Sequence, residues 1–411
     1  MKIYLDWQQV CPRNLEDQTQ LLGNASLFGY TFTNDISEAD IVLFFGCASR
    51  QDTITNSLRA LYYATTGKKS DTQIFVFGCI SEFVKIGLAK QGIKAFSSTK
   101  ALLEHLKKLQ NLDDSFKNAY VCDSSSCIAD ITIGNGCDNA CTFCKVHYLD
   151  RSLKSEPIEV VLKKMHYLRQ AGKTHLALAA LNSTKYGHDL YGAHECWLAQ
   201  LVIAAIKMEY QMLDLKALNI NDIDETLEAV LVSSPIPIFL DLPLQHSNNL
   251  VLEKMGRKTT AEAMAEKVMR LMKNPNLMIM SGVMVGFPYE PVESIVPTFE
   301  YHKDLGIYHV DLFKYIDHAE VPSHKYPQFS QEEIASRFEV ASGCVTSMRQ
   351  EGMSRLVGQT IPIISERGSF LSMPFQAEVE FEGNDKVPSG VVMAKVLRPS
   401  GINKLICSRV P

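Results

Sequence analysis

The sequence lacks any long hydrophobic run, any excess of positive charge and any recognisable export signal. No apolar stretch approaches the roughly 20 residues that a membrane-spanning helix needs. The start Met1–Asp6 lacks the basic residues and the apolar core of a signal peptide. A formal net charge of −5 argues against general adhesion to polyanions but leaves a local basic patch open. These absences predict a soluble cytoplasmic protein, and 411 residues are enough for two or three domains.

Cysteine, by contrast, is plentiful. Eleven cysteines without an export signal indicate a reducing compartment and use in metal binding or catalysis. Cys137, Cys141 and Cys144 follow a C-x3-C-x2-C spacing. Three such thiolates can bind three irons of a four-iron cluster and leave the fourth iron open to a chelating ligand. Zinc is the alternative, but a structural zinc normally takes four ligands with C-x2-C pairs, so the spacing favours iron and sulfur.

The N-terminal third alternates short apolar strands with helices. Strands are predicted at Lys2–Trp7, Ile41–Phe45 and Ile74–Phe77, and helices at Leu15–Leu27 and Leu58–Thr65. This rhythm predicts a doubly wound parallel α/β sheet.

Three cysteines stand just after these predicted strands. Cys47 and Cys79 each follow a glycine at a strand end, and Cys11 lies a few residues past the first strand. Ligands of open α/β sheets collect outside the carboxyl ends of the strands. We therefore expect the three thiols to converge, with ordinary buried cysteines as the alternative.

The central part of the chain repeats strand and helix six times. This pattern predicts a partial parallel (β/α)6 barrel with its chemistry at the carboxyl ends of the strands, and the three-cysteine loop follows the first strand. Polar residues after later strands, among them Gln245, are expected to line a ligand pocket. The predicted strands are Ile131–Ile133, His175–Ala180, Met212–Leu218, Ile236–Leu244, Leu277–Val285 and His309–Tyr315.

Several motifs together resemble those of the radical S-adenosylmethionine (SAM) methylthiotransferases, over nearly the whole chain. Cys11-x-x-Asn14, Phe45-Gly46-Cys47 and Phe77-Gly78-Cys79 are similar to the cysteine motifs of the family's N-terminal domain, and Gly136–Cys144 resembles its radical SAM motif. Further similar segments are Tyr186-Gly187-His188-Asp189, Leu242–Gln245 with Met255-Gly256-Arg257, Val285–Pro288 with Glu290, and a tail from about Arg355 that resembles a shortened TRAM domain.

The resemblance implies two four-iron, four-sulfur (4Fe-4S) clusters and two SAM molecules per turnover. Cys137, Cys141 and Cys144 would hold a cluster whose open iron chelates SAM, and Cys11, Cys47 and Cys79 would hold an auxiliary cluster. One SAM would methylate a sulfur of the auxiliary cluster, and the other would be cleaved to a radical that abstracts hydrogen from an unactivated C–H bond. The SAM-binding candidates are Phe143, Gln245, Arg257, Gly286 and Phe287, of which Arg257 suits a carboxylate.

The resemblance also implies domains and partners. Residues 1–120 would form the N-terminal α/β domain with the auxiliary cluster, 128–350 the radical SAM barrel, and 355–411 a small TRAM-like β-barrel for substrate docking. A flavodoxin or ferredoxin would supply electrons, and a monomer without membrane contact is expected.

The substrate is less defined than the chemistry. His246 replaces a usual serine, Tyr289 replaces a usual glycine, and the basic stretch after the radical motif is thinned. A tRNA adenosine is placed slightly ahead of an aspartate-like side chain of a protein or a ribosomally made peptide. Also open are a different sulfur insertion or methylation, a single-cluster enzyme in which Cys11, Cys47 and Cys79 are redox thiols, and a metal-stabilised RNA- or protein-binding adaptor without catalysis.

Overall fold

The structure is a computed structural model. It describes residues 1–7, 12–45, 51–68, 70–77, 92–96, 98–112, 119–122, 126–145, 152–366, 368–373, 375–383 and 387–410. The chain divides into two compact units, Met1–Asp123 and Ser124–Pro411.

The first unit is a five-stranded parallel sheet with helices on both faces. Its strands are β1 (Lys2–Trp7), β2 (Thr31–Thr33), β3 (Ile41–Phe45), β4 (Gln73–Phe77) and β5 (Lys94–Phe96), in the order β2-β1-β3-β4-β5. Its helices are α1 (Pro12–Leu27), α2 (Gln51–Gly67) and α3 (Thr99–Leu109). The predicted doubly wound sheet is confirmed. The edge strands β2 and β5 were not predicted, because three residues are too few to show a strand pattern.

Each face of this sheet has its own hydrophobic core. Leu21 of α1 and Leu102 of α3 pack on one face together with Ile41, Leu43 and Phe45. The alternate residues of the same strand face the other way, where Val42 and Phe44 pack with Leu61 of α2. A strand that is buried on both faces must be apolar at every position, which explains the continuous Ile41–Phe45 run.

The carboxyl ends of β1, β3 and β4 are aligned. Trp7 pairs with Phe45, and Phe45 pairs with Phe77, so the three neighbouring strands end at one level. The strand order reverses between β1 and β3, which is where doubly wound sheets bind ligands. Cys11, Cys47 and Cys79 lie outside the described residues.

The second unit contains a six-stranded parallel sheet, in the order β13-β12-β11-β10-β9-β6. The strands are β6 (Ile128–Thr132), β7 (Gly134–Asn135), β8 (Lys154–Ser155), β9 (His175–Ala179), β10 (Met212–Leu215), β11 (Ile238–Asp241), β12 (Leu277–Val285) and β13 (His309–Lys314), and β7 pairs only with β8. The helices are α4 (Ile158–Gln170), α5 (His188–Tyr191), α6 (Trp197–Lys207), α7 (Glu225–Val232), α8 (Asn249–Lys254), α9 (Ala261–Leu271), α10 (Ile295–Asp304) and α11 (Gln331–Arg355).

The six predicted strands are confirmed, although four of them are shorter than predicted: β10 and β11 by several residues, and β9 and β13 by one residue. The strand β10 stops at Leu215 because Ala217 adopts a φ of 52°, and the chain after β11 turns at Gln245 with a φ of 73°. The chain leaves the sheet at Ala217, whereas Gln245 stays bonded to β12 through its backbone. The long helix α11 was not predicted, although Ser330 and Glu333 form a capping box at its start.

A closed five-stranded β-barrel ends the chain, as the predicted β-barrel-like tail required. Its strands are β14 (Thr360–Glu366), β15 (Ser369–Ser372), β16 (Glu378–Phe381), β17 (Gly390–Pro399) and β18 (Lys404–Arg409). Ile364 and Met373 of this β-barrel pack against Met212 and Phe239 near the amino ends of β10 and β11. Among the described residues, no helix is long and apolar enough to cross a membrane.

Candidate active site

A small hairpin holds the base of the three-cysteine loop. Gly134 and Asn135 of β7 pair with Ser155 and Lys154 of β8. The backbone N–H of Ser155 donates to Oδ2 of Asp189 at 2.9 Å, so the Tyr186–Asp189 segment supports this hairpin. Gly136 then opens the loop with a φ of 75°, and an added Cβ would lie 1.7 Å from the carbonyl oxygen of Ser152. The start of the loop therefore requires glycine.

Gly136→Ala is expected to destabilise the loop by well over the roughly 1–2 kcal/mol that a left-handed backbone alone costs, because its Cβ would overlap a carbonyl. Thermal unfolding and iron content after reconstitution check this. Gly172→Ala is the matched control, since Gly172 has a φ of 85° but nothing within 4 Å of an added Cβ. Equal losses in the two variants would contradict the steric argument.

The far side of the loop is anchored to the turn after α8. The Thr142 hydroxyl donates to the carbonyl of Lys254 at 2.7 Å, and the Thr142 N–H donates to the carbonyl of Met255 at 3.0 Å. Gly256, with a φ of 76°, brings its backbone so close that an added Cβ would lie 2.7 Å from the carbonyl oxygen of Ala140. The residues between Cys141 and Cys144 are thus fixed by the backbone and by the Thr142 hydroxyl rather than by the thiols.

The three thiols are half-buried and close enough to affect one another electrostatically. Burial raises the pKa of Cys137 to about 11, and the neighbouring Cys144 and Cys141 add to the rise. Burial also raises the pKa of Cys141, and the positive charge of Arg257 opposes that rise. Among the described residues, no three His, Cys, Asp or Glu side chains converge on a single ion. A four-iron cluster needs no such convergence, because each cysteine binds a different iron.

Two polar side chains near the carboxyl edge of the sheet have buried atoms without hydrogen-bond partners. Arg257 donates from Nη1 to Oδ1 of Asn219 at 3.4 Å and from Nη2 to the carbonyl of Pro243 at 3.1 Å, whereas its Nε has no partner. Gln245 is held through its backbone by β12, and its side-chain Oε1 is likewise buried and unpartnered. Buried polar groups normally have partners, so these atoms fit a polar ligand such as the amino-acid end of SAM.

A polar network joins the carboxyl ends of β9 and β10. Asp222 Oδ2 accepts from the amide of Asn182 at 3.1 Å and from the amide of Asn219 at 3.0 Å. Lys185 forms a 2.9 Å ion pair with Asp138, the residue that follows Cys137. Asn219 also accepts a hydrogen bond from Arg257, and Lys185 lies 3.9 Å from Asp222. The same polar network therefore contacts both the cysteine loop and Arg257.

The loop after β12 closes around a buried carboxylate. Glu290 is completely buried; its Oε2 accepts from the Gly286 N–H at 2.9 Å and from Nη1 of Arg337 at 3.1 Å. His246 lies 3.3 Å from Oε1 of Glu290, and its Nδ1 accepts from the Asn248 N–H, so Nε2 carries the proton that faces the carboxylate. A histidine at this position thus satisfies the second carboxylate oxygen.

Arg337→Met is expected to lower the free energy of unfolding by about 3 kcal/mol, because it leaves the buried Glu290 carboxylate without its cation. Chemical denaturation measures the change. Arg355→Met on the same helix is the control: Arg355 is 62% exposed and pairs with Glu351, so a loss below about 0.5 kcal/mol is expected. A comparable loss in both variants would show that Glu290 does not depend on Arg337.

The remaining predicted residues pack beside the loop. Phe287 is fully buried and contacts Phe143, with ring centroids 6.3 Å apart, and Tyr315, at 5.3 Å. The N–H of Gly286 is already taken by Glu290. Tyr289, which stands where the family pattern has glycine, has a φ of 69°, a conformation that favours glycine. Phe143 and Arg257 therefore lie beside the cysteines, and Phe287 packs against Phe143. Gln245 lies at the carboxyl edge of the sheet, two residues after Pro243, whose carbonyl accepts from Arg257.

Sequence reasoning did not single out Asn219, Asp222 or Arg337. The polar run Asn219–Asp222 follows β10 as other polar runs follow their strands, and this signal could have identified the first two. Arg337 lies in α11, far along the chain from Glu290, and no local pattern indicates their contact.

A parallel six-stranded sheet with three thiols in the loop after its first strand, and with an arginine beside them, is the arrangement expected of a radical SAM enzyme. Residues 131–302 match the radical SAM superfamily, and residues 8–96 match the uncharacterized protein family UPF0004. The ribosomal protein uS12 methylthiotransferase RimO of Caldicellulosiruptor saccharolyticus is 24% identical over 94% of this chain and 95% of its own. The RimO of Chlorobium phaeobacteroides is 27% identical over 76% and 74%.

The radical SAM methyltransferase TsrM of Kitasatospora setae has a similar fold, with a TM-score of 0.55 and 12% identity over 78% of this chain and 76% of its own. The chain belongs to the radical SAM methylthiotransferase family, as a divergent member, and it is a transferase. The cofactors of this family are SAM and two 4Fe-4S clusters.

Proposed function

We propose that this chain inserts a methylthio group into an unactivated C–H bond of a polypeptide side chain, an aspartate or a similar residue. The observation that carries the chemistry is the placement of Arg257, whose Nε is unpartnered, beside Cys141 in the three-cysteine loop. Gln245 adds a second buried, unpartnered polar atom at the carboxyl edge of the sheet. The polypeptide substrate is supported by relatives that are named for ribosomal protein uS12 and match the chain over nearly its full length. The tRNA adenosine that the sequence alone places slightly ahead has no support from these relatives.

The residues of the second unit would bind and orient SAM. Cys137, Cys141 and Cys144 would hold the first cluster, and Arg257 and Gln245 would bind the carboxylate and amino groups of SAM. The planar guanidinium of Arg257 suits a carboxylate. Its hydrogen bond to Asn219 holds the side chain in place before the ligand binds. Phe287 would shape the pocket by supporting Phe143. When bound, the clusters supply the electron that cleaves SAM and the sulfur that is transferred.

The auxiliary cluster would be held by Cys11, Cys47 and Cys79. The support is the alignment of Trp7, Phe45 and Phe77, since the chain leaves all three strands at one level next to the switch in strand order. An electron donor such as flavodoxin or ferredoxin would complete the system, and a ribosomal or other polypeptide substrate would place the reaction in the cytoplasm.

The substrate is tested with the full chain after anaerobic reconstitution with iron and sulfide. The enzyme is incubated with SAM, a reductant, and either ribosomal protein uS12 or unmodified tRNA, and the products are analysed by mass spectrometry. A methylthio group on an aspartate of uS12, and none on tRNA, is the expected result. A methylthio-adenosine in the tRNA with unmodified uS12 would overturn the polypeptide substrate.

A further inference from the structure

The three-cysteine loop is fixed at two places, which contact different elements of the second unit. Thr142, in the second half of the loop, bonds to the turn after α8 through its hydroxyl and its backbone N–H. Asp138, in the first half, forms a 2.9 Å ion pair with Lys185, which lies beyond the end of β9. Asp138 directly follows Cys137 in the chain. Lys185 therefore contacts the loop next to one of its three thiols.

The backbone that carries Lys185 is bonded on both sides. Lys185 is the last residue of the short 3-10 helix after β9. Within this helix, the N–H of Ser183 donates to the carbonyl of Ala217 at 3.2 Å. On the other side, Tyr186 is 2% exposed, and its hydroxyl donates to the carbonyl of Glu156 at 2.9 Å. Because its neighbours are bonded to other elements, the lysine presents its charge to the loop from a fixed base.

Lys185 also faces a second carboxylate, which belongs to the polar network around Arg257. Its Nζ lies 3.9 Å from Oδ1 of Asp222, and Oδ2 of Asp222 accepts from the amide of Asn219 at 3.0 Å. Oδ1 of Asn219 in turn accepts from Arg257 at 3.4 Å. Among the described residues, no other cation forms an ion pair with Asp138 or with Asp222. The contacts that lead from Asp138 to the arginine therefore pass through this lysine.

The lysine is charged and partly shielded from solvent. The side chains of Lys185 and Asp222 are 21% and 19% exposed, and that of Asp138 is 41% exposed. Burial by itself would lower the pKa of Lys185, but the hydrogen bond with Asp138 and the charge of Asp222 raise that pKa above its ordinary value. A partly buried cation between two carboxylates is held more firmly than an exposed surface pair.

We propose that Lys185 is a positioning residue for SAM, because it fixes the Cys137 side of the loop relative to Arg257. This inference rests on the proposed function and adds to it a residue that the sequence motifs do not include. The amino-acid end of SAM would be held at two points, the open iron of the cluster and the arginine, which belong to different elements. A ligand held at two points binds tightly only if their separation is kept, and a displacement of about 1 Å removes much of the benefit.

Lys185→Met tests this role, because it keeps most of the length of the side chain and removes its charge. Equilibrium dialysis measures the binding of radiolabelled SAM to the reconstituted full chain without a reductant. The dissociation constant is expected to rise at least about tenfold, with the iron content unchanged. Lys185→Arg keeps a cation between the two carboxylates and should retain most of the affinity. Wild-type affinity in Lys185→Met would overturn the inference.

Arg270→Met is the matched control, since it breaks another ion pair between two elements of the same unit. Arg270 of α9 pairs with Glu228 of α7 at 2.6 Å and is 44% exposed. This variant should bind SAM as the wild type does. A tenfold loss of SAM affinity in both variants would show a general destabilisation and would count against a specific role of Lys185.

Two further readouts distinguish positioning from a purely structural role. In Lys185→Met the KM for SAM should rise by a larger factor than the rate of SAM cleavage at saturating SAM falls. In the metal-free chain, hydrogen–deuterium exchange over residues 136–145 should be faster in Lys185→Met than in the wild type, and unchanged in Arg270→Met. Exchange at the wild-type rate in Lys185→Met would show that the loop does not depend on the lysine.

Asp138→Asn shows whether the lysine acts through the loop. If it does, the double variant with Lys185→Met should bind SAM no more weakly than the weaker of the two single variants, because both remove the same contact. Additive losses would place the effect of Lys185 outside the loop and would contradict the inference.

The outcomes separate this inference from the proposed function. Weak SAM binding in Lys185→Met, together with no methylthio product from the wild type on ribosomal protein uS12, would support the positioning role and count against the proposed function. Product on uS12 from the wild type, together with wild-type SAM affinity in Lys185→Met, would support the proposed function and overturn the positioning role.

Discussion

Cys141→Ala is expected to halve the iron content, from about eight to about four irons per chain, and to abolish SAM cleavage. The thiol lies in the loop fixed by Thr142 and beside Arg257, so its loss removes a ligand and leaves the rest of the frame in place. Iron is measured colorimetrically after anaerobic reconstitution, and 5′-deoxyadenosine is measured by chromatography.

Cys344→Ala is the matched control for this variant. Cys344 is a half-buried thiol of α11 in the same unit, and its replacement should change neither iron nor SAM cleavage. Full SAM cleavage by Cys141→Ala would show that the three-cysteine loop does not hold the radical cluster. Loss of both iron and SAM cleavage in the control would point to general unfolding instead.

Cys47→Ala is expected to affect a different step of the reaction from Cys141→Ala. Iron should again fall to about half, and SAM cleavage should persist, whereas methylthio transfer should be lost. The reason is that Cys47 follows β3, whose end is aligned with those of β1 and β4, and we propose that these three ends present the auxiliary ligands. Iron content, 5′-deoxyadenosine and modified product are measured on the same preparation.

Cys122→Ala controls for a lost thiol in the same unit. Cys122 is half-buried near the end of the first unit and has no proposed role. Unchanged iron in Cys47→Ala would refute the auxiliary cluster and favour a single-cluster enzyme in which Cys11, Cys47 and Cys79 are redox thiols.

Much of the fold follows from local patterns in the sequence. The continuous apolar run at Ile41–Phe45 indicated a strand buried on both faces, and the structure packs its alternate residues into two cores. The six strands of the central sheet were equally clear from the sequence, because amphipathic helices alternate with them. The strands β2 and β5 were missed because they are edge strands of three residues that pair on one side only.

The site was less predictable, because its contacts join distant parts of the chain. Arg257 was identified through its similarity to a family motif, but its partner Asn219 lies on another strand end. Glu290 depends on Arg337 in a helix that was not predicted. Tyr289 was noted as a replacement for glycine, and its φ of 69° explains why glycine suits that position. Such information lies in backbone angles and long-range contacts, which no local pattern records.

The most direct test of the central claim is the product formed from SAM with a deuterated methyl group. The reconstituted full chain is incubated with this SAM, a reductant and ribosomal protein uS12, and the modified peptide is fragmented in a mass spectrometer. A methylthio group that carries the deuterated methyl, on the carbon of a side chain that has lost one hydrogen, is the predicted result. A deuterated methyl group without sulfur would contradict the account and identify the chain as a methyltransferase.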